Sequence, residues 1–259
     1  TLINVDDSPA AYVANVAHLS YGQQATDYRL LSTTPNADGS QQLQVDARGR
    51  NLSLTTSLLG LPGVKSVVAA AAVADMYGLT VNQIEANAQL ITAVPGRMQL
   101  LKGIQDSVII DDSYNASPVA MKAALDVLYA MPGNQHIAVL GNMNEMGELS
   151  VAMHQEVGNY CDPAKLDLVV TIGPDANSRL APAALAKGCQ VKTFDSPYEA
   201  GEFIATQLQP NAAVLVKGSQ NGVFSEETVK LLLADPADSA KLVRQSDFWM
   251  KRKQAQFGN

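Results

Sequence analysis

Cysteine, histidine and aromatic residues are scarce in this chain. Only Cys161 and Cys189 occur among 259 residues, too few for a disulfide framework, so the expected setting is a reducing one, the cytoplasm. His18, His136 and His154 are scattered and form no Cys/His cluster at metal-ligand spacing. No apolar run approaches the roughly 18 residues a membrane span needs. The longest, Val67 to Ala74, is mostly alanine and reads as buried helix. Charged residues are only 17% of the chain and the net charge is −7, against the basic face usual in a duplex nucleic-acid binder, so that role is not expected. No Gly is followed by Lys and no two glycines are spaced Gly-x-Gly, which removes the P-loop and the dinucleotide fingerprint. There is no Gly-x-Ser-x-Gly nucleophile context either. The first residue is Thr1, with no signal-peptide pattern after it, and the chain is expected to be part of something longer.

Hydrophobic residues make up 47%, which predicts a packed core. Two rhythms follow one another. From Tyr28 to Leu59 short alternating stretches are punctuated by Asn36-Ala37-Asp38-Gly39 and Ala47-Arg48-Gly49-Arg50, predicting an antiparallel meander with hairpin turns. Leu61-Pro62-Gly63 reads as a break. Val64 to Tyr77 then predicts a buried helix, and Val81 to Ile91 a second one with Thr80 as N-cap. Val94-Pro95-Gly96 predicts a domain boundary, giving domains at 1–93 and 94–259.

Beyond it strands alternate with helices. The strands are expected at Ser107–Asp111, Ile137–Leu140, Leu168–Ile172, Val191–Phe194 and Ala213–Val216, and the helices near 117–130, 148–160, 176–187, 198–208 and 225–234. Apolar strands alternating with helices predict a mostly parallel sheet covered on both faces. Right-handed crossovers then bring the C-terminal strand ends to one edge, where ligands bind in open α/β sheets. Asp111-Asp112-Ser113-Tyr114-Asn115, Gly141-Asn142-Met143-Asn144-Glu145, Gly173-Pro174-Asp175 and Lys217-Gly218-Ser219-Gln220-Asn221 fall on that edge.

Those segments resemble the Mur ligase family in order and spacing. Val94-Pro95-Gly96-Arg97 is similar to its hinge segment. Asp111-Asp112-Ser113-Tyr114-Asn115-Ala116 resembles the Asp-Asp-Ser-Tyr-Asn-Ala of its D-alanyl-D-alanine-adding members. Leu140 to Gly147 is similar to their Gly-Asp-Met-x-Glu-Leu-Gly, with His154 where a His follows, and Val216-Lys217-Gly218-Ser219 resembles their Val-Lys-Gly-Ser. The resemblance implies an α/β fold in which a Rossmann-like C-terminal domain follows the mixed α+β end of the central ATPase domain. It implies an ATP-dependent ligase of peptidoglycan precursor synthesis that joins D-alanyl-D-alanine to a UDP-MurNAc-tripeptide through an acyl phosphate. The P-loop and the Mg2+ ligands would lie outside this chain, which alone would be inactive. The expected partners are the nucleotide and small peptide substrates, with neither nucleic acid nor a membrane, and the expected state is a monomer.

By the same resemblance Lys217 is the expected catalytic residue, and Arg97, Asp112, Tyr114 and Asn115 bind the nucleotide. Asn142, Asn144, Glu145 and Ser219 bind the incoming substrate. Each has a plainer reading. Arg97 and Lys217 suit phosphate or developing negative charge, or are solvated surface charge. Asp112 can accept two ribose hydroxyls or cap a helix, and Tyr114 can stack on a base or pack beside the sheet. Asp112 and Lys217 are both expected near the surface. The family's Gly-Arg-His-Asn, with a second Asn three residues on, is here Gly63-Val64-Lys65-Ser66 with Ala69, so adenine recognition must differ or be weaker. Asn142 stands for an Asp and Gln220 for an Arg, which removes charge from the acceptor site. A non-catalytic module binding a nucleotide or a partner is the alternative function. The basic tail Lys241–Lys253 is expected to dock Phe248 and Trp249 against the domain.

Overall fold

The computed structural model describes residues 1–9, 14, 16–36 and 39–258. The chain divides into two compact units, Thr1–Ala93 and Val94–Asn259. Among the described residues no helix is long and apolar enough to cross a membrane.

In the first unit β1 (Leu2–Asn4), β2 (Leu19–Gly22), β3 (Tyr28–Pro35), β4 (Gln41–Ala47) and β5 (Arg50–Thr56) form one sheet in chain order. The antiparallel meander is β3 to β5. The turn joining β4 to β5 places Arg48 and Gly49 both at positive φ, 57° and 83°, the geometry whose twist matches flanking strands. Of the other predicted turn, Ala37 and Asp38 lie outside the described residues. β1, β2 and β3 pair in parallel, an arrangement no local pattern announces. Leu43, Val45, Leu52 and Leu54 point to the same side and are buried with Val64, Val67, Val68 and Ala71. Those last four belong to α1 (Gly60–Met76), which starts a turn earlier than expected. Leu61-Pro62-Gly63 is no break, because a first-turn proline lacks only an N–H that has no helical partner there. α2 (Val81–Ala88) opens on a capping box between Thr80 and Gln83 and stops three residues before Ile91.

The second unit holds a six-stranded sheet. Its members are β6 (Gln99–Lys102), β7 (Val108–Asp112), β8 (His136–Gly141), β9 (Leu168–Ile172), β10 (Val191–Phe194) and β11 (Ala213–Lys217). The order is β10-β9-β8-β11-β7-β6, parallel except for β6. β6 was not anticipated, being four residues with no apolar run. Alternate residues serve opposite cores. Ile109 and Val216 join one cluster with Ala200, Ile204 and Val229, while Ile110 and Leu215 join the other with Met121, Leu125 and Val157. Helices α3 (Pro118–Ala130), α4 (Ser150–Tyr160) and α5 (Ala181–Ala186), the last preceded by a wide helical turn at Ala176–Leu180, thus cover one face. α6 (Pro197–Gln207) and α7 (Glu226–Leu232) cover the other. Because the last strand enters between β7 and β8, the loops ending β7, β8 and β11 are neighbours on one edge.

The tail ends in α8 (Asp247–Phe257). Trp249 packs edge-on to Phe224, centroids 6.1 Å apart. Phe248, expected to dock as well, is 61% exposed and lies 5.2 Å from the Trp249 ring, since Trp249 already fills the place beside Phe224.

Candidate functional site

Asp112 ends β7 and Lys217 ends β11, and the two are register partners. Two-residue alternation turns both toward the face covered by α3. The Lys217 ammonium lies 2.5 Å from Asp112 Oδ2 and 2.9 Å from the Asn115 carbonyl. Ser219 Oγ donates to Asn115 Oδ1 at 2.9 Å, and the Met98 N–H donates to Asp112 Oδ1 at 3.1 Å. The Arg97 guanidinium sits 4.3 Å from the centre of the Tyr114 ring, within cation–π range. Arg97, Asp112, Tyr114, Asn115, Lys217 and Ser219 therefore form one cluster.

The depth of that cluster corrects the expectation of a surface pair. Lys217 is 2% exposed and Asp112 7%. The chain after β7 folds back over the strand ends and lays the Asn115 carbonyl on the ammonium. Burial raises the Asp112 carboxyl, opposed by the Lys217 charge and by the hydrogen bonds from Lys217 and Met98. Both carboxylate oxygens are engaged, yet each has a second lone pair, so a hydroxyl can be accepted beside the existing bonds. An ammonium has three N–H groups, and two of those on Lys217 are spent. Asp112 caps no helix; Ser117 caps α3. Tyr114 is 39% exposed. Its N–H donates to the Gly96 carbonyl at 3.1 Å, and a Cβ on Gly96 would stand 3.2 Å from that nitrogen. Only glycine, here at φ +68°, lets the two segments approach so closely.

The substrate-side residues are drawn in less directly. Asn142 Oδ1 accepts from the Ala176 N–H at 2.8 Å and its carbonyl accepts from the Ser219 N–H at 2.9 Å. Asn144 Nδ2 donates to the carbonyls of Gln220 and Asn221 at 2.6 and 2.9 Å. These amides tie the loops after β8, β9 and β11 together. Glu145 is exposed, at φ 66°. The fully buried His154 accepts the Met143 N–H on Nε2 at 3.0 Å, which fixes its proton on Nδ1, 2.8 Å from the Ser150 carbonyl.

In the first unit, Lys65 is committed to Asp6 and Asp7 at 3.1 and 3.0 Å. Burial pulls its amine down and Asp7 and Asp6 more than offset this. Ser66 Oγ donates to the Pro62 carbonyl. Neither side chain supplies the amide that the family places at this helix start.

Sequence reasoning missed the charges beneath the rim. Glu226 and Glu227 are buried at the start of α7, where Arg244 pairs with Glu226 at 2.7 Å and Lys253 with both acids at 2.9 and 2.5 Å. Asp111 belongs to the same face. Burial pushes its carboxyl up to about 6, opposed by hydrogen bonds from Ser113 and helped by the charges of Glu226 and Asp112. Because this folded value lies above the unfolded one of 3.8, the contribution to stability is complete below about pH 4 and is lost as pH rises through about 6. The loss amounts to ~3 kcal/mol at about 1.4 kcal/mol per pH unit. Asp111→Asn cannot ionise, and its stability relative to wild type should rise between pH 4 and 6, then level off. Urea denaturation across pH 4–8 measures this. Parallel profiles for the two proteins would refute the assignment.

Residues 96–220 match the family described as Mur ligase, glutamate ligase domain. The chain is 30% identical over 213 residues to the UDP-N-acetylmuramoyl-tripeptide--D-alanyl-D-alanine ligase of Haemophilus influenzae, covering 81% of this chain and 45% of that protein. To the enzyme of the same name from Escherichia coli it is 31% identical over 218 residues, covering 77% and 46%. A crystal structure of MurF ligase from Thermotoga maritima in complex with ADP superposes with TM-score 0.76 at 24% identity, covering 89% of this chain and 52% of that one. MurF from Acinetobacter baumannii gives TM-score 0.72 at 25% identity, covering 86% and 48%. The chain spans about half the length of the curated relatives it matches.

Proposed function

Since the chain belongs to the Mur ligase family, we propose that it is the C-terminal portion of an ADP-forming ligase that joins D-alanyl-D-alanine to a UDP-MurNAc-tripeptide in the cytoplasm. The observation that carries this reading is the Asp112–Lys217 pair on adjacent strand ends, beside Arg97 over Tyr114. Residues 1–93 would then be the end of the ATPase domain and 94–259 the C-terminal domain.

The rim has the donor set that a nucleoside phosphate requires. The exposed Arg97 guanidinium suits phosphate oxygens, and the Tyr114 ring offers a half-exposed face. Asp112 retains acceptor capacity for a ribose hydroxyl, and Asn115 carries the turn between them. ATP supplies the phosphoryl group that activates the carboxylate, and Mg2+ is expected with it on ligands outside this chain. The third N–H of Lys217 is the one left for developing negative charge, in a chemistry that depends on positioning and charge neutralisation. Glu145 and Ser219 would meet the incoming amine, while Asn142 and Asn144 would shape its site by holding the loops.

Two measurements test the reading. The 259-residue chain alone should form no amide from ATP, because no Gly-Lys phosphate cradle occurs in it. The protein extended by a preceding P-loop region should release ADP only when both the tripeptide precursor and D-alanyl-D-alanine are present. ADP release with glutamate or another amine, and none with D-alanyl-D-alanine, would refute the substrate. One observation favours the non-catalytic alternative: Lys65, tied to Asp6 and Asp7, stands where the family places adenine-facing amides. Absence of any turnover in the extended protein would decide for it.

A further inference from the structure

Arg244 lies far along the sequence from the rim, in the tail just before α8, yet it reaches the turn that carries the rim. Nη2 donates to the Ser113 carbonyl at 2.6 Å and Nη1 to the Tyr114 carbonyl at 3.2 Å. Nε and Nη2 also form a fork on Glu226, at 2.9 and 2.7 Å. Four of the five guanidinium N–H groups are thereby used on three partners, an arrangement a lysine cannot copy from one nitrogen. The side chain is 6% exposed and Glu226 0%.

The backbone of Arg244 is held just as firmly. Its φ is 55°, in the left-handed region that a residue other than glycine keeps only when its surroundings impose it. The carbonyl of Arg244 accepts from Lys253 Nζ at 2.8 Å. Next to it, Gln245 Nε2 donates to Glu227 Oε1 at 3.0 Å, and Val243 is 3.1 Å from where a Gly96 Cβ would be. The same turn thus has its carbonyls gripped by Arg244, while the Tyr114 N–H goes to Gly96 and the Tyr114 ring lies under Arg97.

We propose that Arg244 is a positioning residue: from the C-terminal tail it fixes the Ser113–Asn115 turn, and through it sets Asp112, Tyr114 and Asn115 for the ligand. Its effect on ligand binding rests on the nucleotide reading of the rim; the fixing of the turn does not. Carbonyls fixed at Ser113 and Tyr114 orient the peptide planes on either side of the Tyr114 side chain. They also hold the Asn115 carbonyl over Lys217. Without the two bonds from Arg244, Ser113 and Tyr114 keep the Tyr114–Gly96 bond and the Ser113 N–H bond to Asp111 Oδ1, and Asn115 keeps those from Lys217 and Ser219.

Amide hydrogen exchange on the 259-residue chain tests this with Arg244→Gln and Arg244→Lys. Lysine retains a charge for Glu226 but cannot span both carbonyls. Exchange at Ser113 and Tyr114 should accelerate about tenfold or more in both variants, as local opening becomes easier, while Val214 and Leu215 in β11 stay protected in Arg244→Lys. If Arg244→Gln does not fold, Arg244→Lys carries the test. Wild-type exchange at the turn in Arg244→Lys would overturn the proposal, because charge alone would then suffice. Titration with ADP of the protein extended by the P-loop region, followed at Tyr114, separates the two readings. A weaker ADP response in Arg244→Lys than in wild type supports both. No ADP response in wild type, with the turn still loosened in the variant, removes the nucleotide reading and leaves the positioning role standing.

Discussion

Replacing Lys217 with methionine in the extended, active protein is expected to lower turnover by roughly 100- to 1,000-fold, the range for loss of one preorganised donor at developing charge. It is also expected to lower stability by about 3–5 kcal/mol, as happens when one partner of a buried ion pair is removed. The second effect follows from burial: the Lys217 side chain is 3% exposed and that of Asp112 10%. Without the ammonium, Asp112 keeps the Met98 N–H as a donor, and with its side chain only 10% exposed water replaces the loss incompletely. The two effects separate in the double variant Asp112→Asn with Lys217→Met. No buried charge is then left unpaired, so much of the stability should return, whereas turnover should not. Equilibrium unfolding and steady-state kinetics on the wild type, both single variants and the double variant form the cycle. If turnover recovers along with stability, Lys217 serves only to hold the strand ends together, and its proposed role toward the reacting group is wrong.

That pair marks how far the sequence could be read. Its convergence was legible, because parallel strands joined by right-handed crossovers end on one edge and Asp112 and Lys217 end two of them. Its depth was not. Whether a strand end is open depends on where the following turn lies, and Ser113-Tyr114-Asn115 turns back only because Gly96 and Arg244 hold it from residues distant in the chain. The same limit applies to the tail. Arg244 and Lys253 fall in a polar stretch with the composition of a solvated helix, and no period marks either one as buried. Their partners Glu226 and Glu227 begin a helix, where acids are ordinary. A weak signal existed in Val229 and Leu232, which share the inward face with Glu226 at helical spacing of three and six. An acid on an apolar face calls for a cation, and the chain has few to offer. The meander of the first unit was legible from alternation and turn residues, but its parallel edge was not, since Leu2 meets Leu19 without a local pattern to mark it.

Lys253 provides the strongest stability prediction. Its ammonium is fully buried between Glu226 and Glu227 and also donates to the Arg244 carbonyl. Burial alone would push the Glu227 carboxyl up; Lys253, together with Gln245 and Lys230, more than offsets this and holds it below the ordinary 4.5. A depressed carboxyl contributes stability that is present above its unfolded value and is lost as pH falls through the folded one. Lys253→Met removes the main offset and leaves burial to dominate. Glu227 should then move above its unfolded value, so that its contribution changes sign and stability falls as pH rises from about 4 toward neutrality. At pH 7.5 the loss should reach about 3–5 kcal/mol, the range for a broken buried ion pair. α8 should become the first site of proteolysis, since Trp249 against Phe224 and Phe257 against Tyr198 and Phe224 are the remaining ring contacts between α8 and the residues before it. Adding Glu227→Gln to Lys253→Met removes the stranded charge and should recover at least half of the loss, with the abnormal pH slope gone. Thermal unfolding of the three proteins between pH 4 and 8 decides the matter. If Lys253→Met keeps the wild-type slope, or the added Glu227→Gln deepens the loss, Glu227 is not the group that Lys253 neutralises.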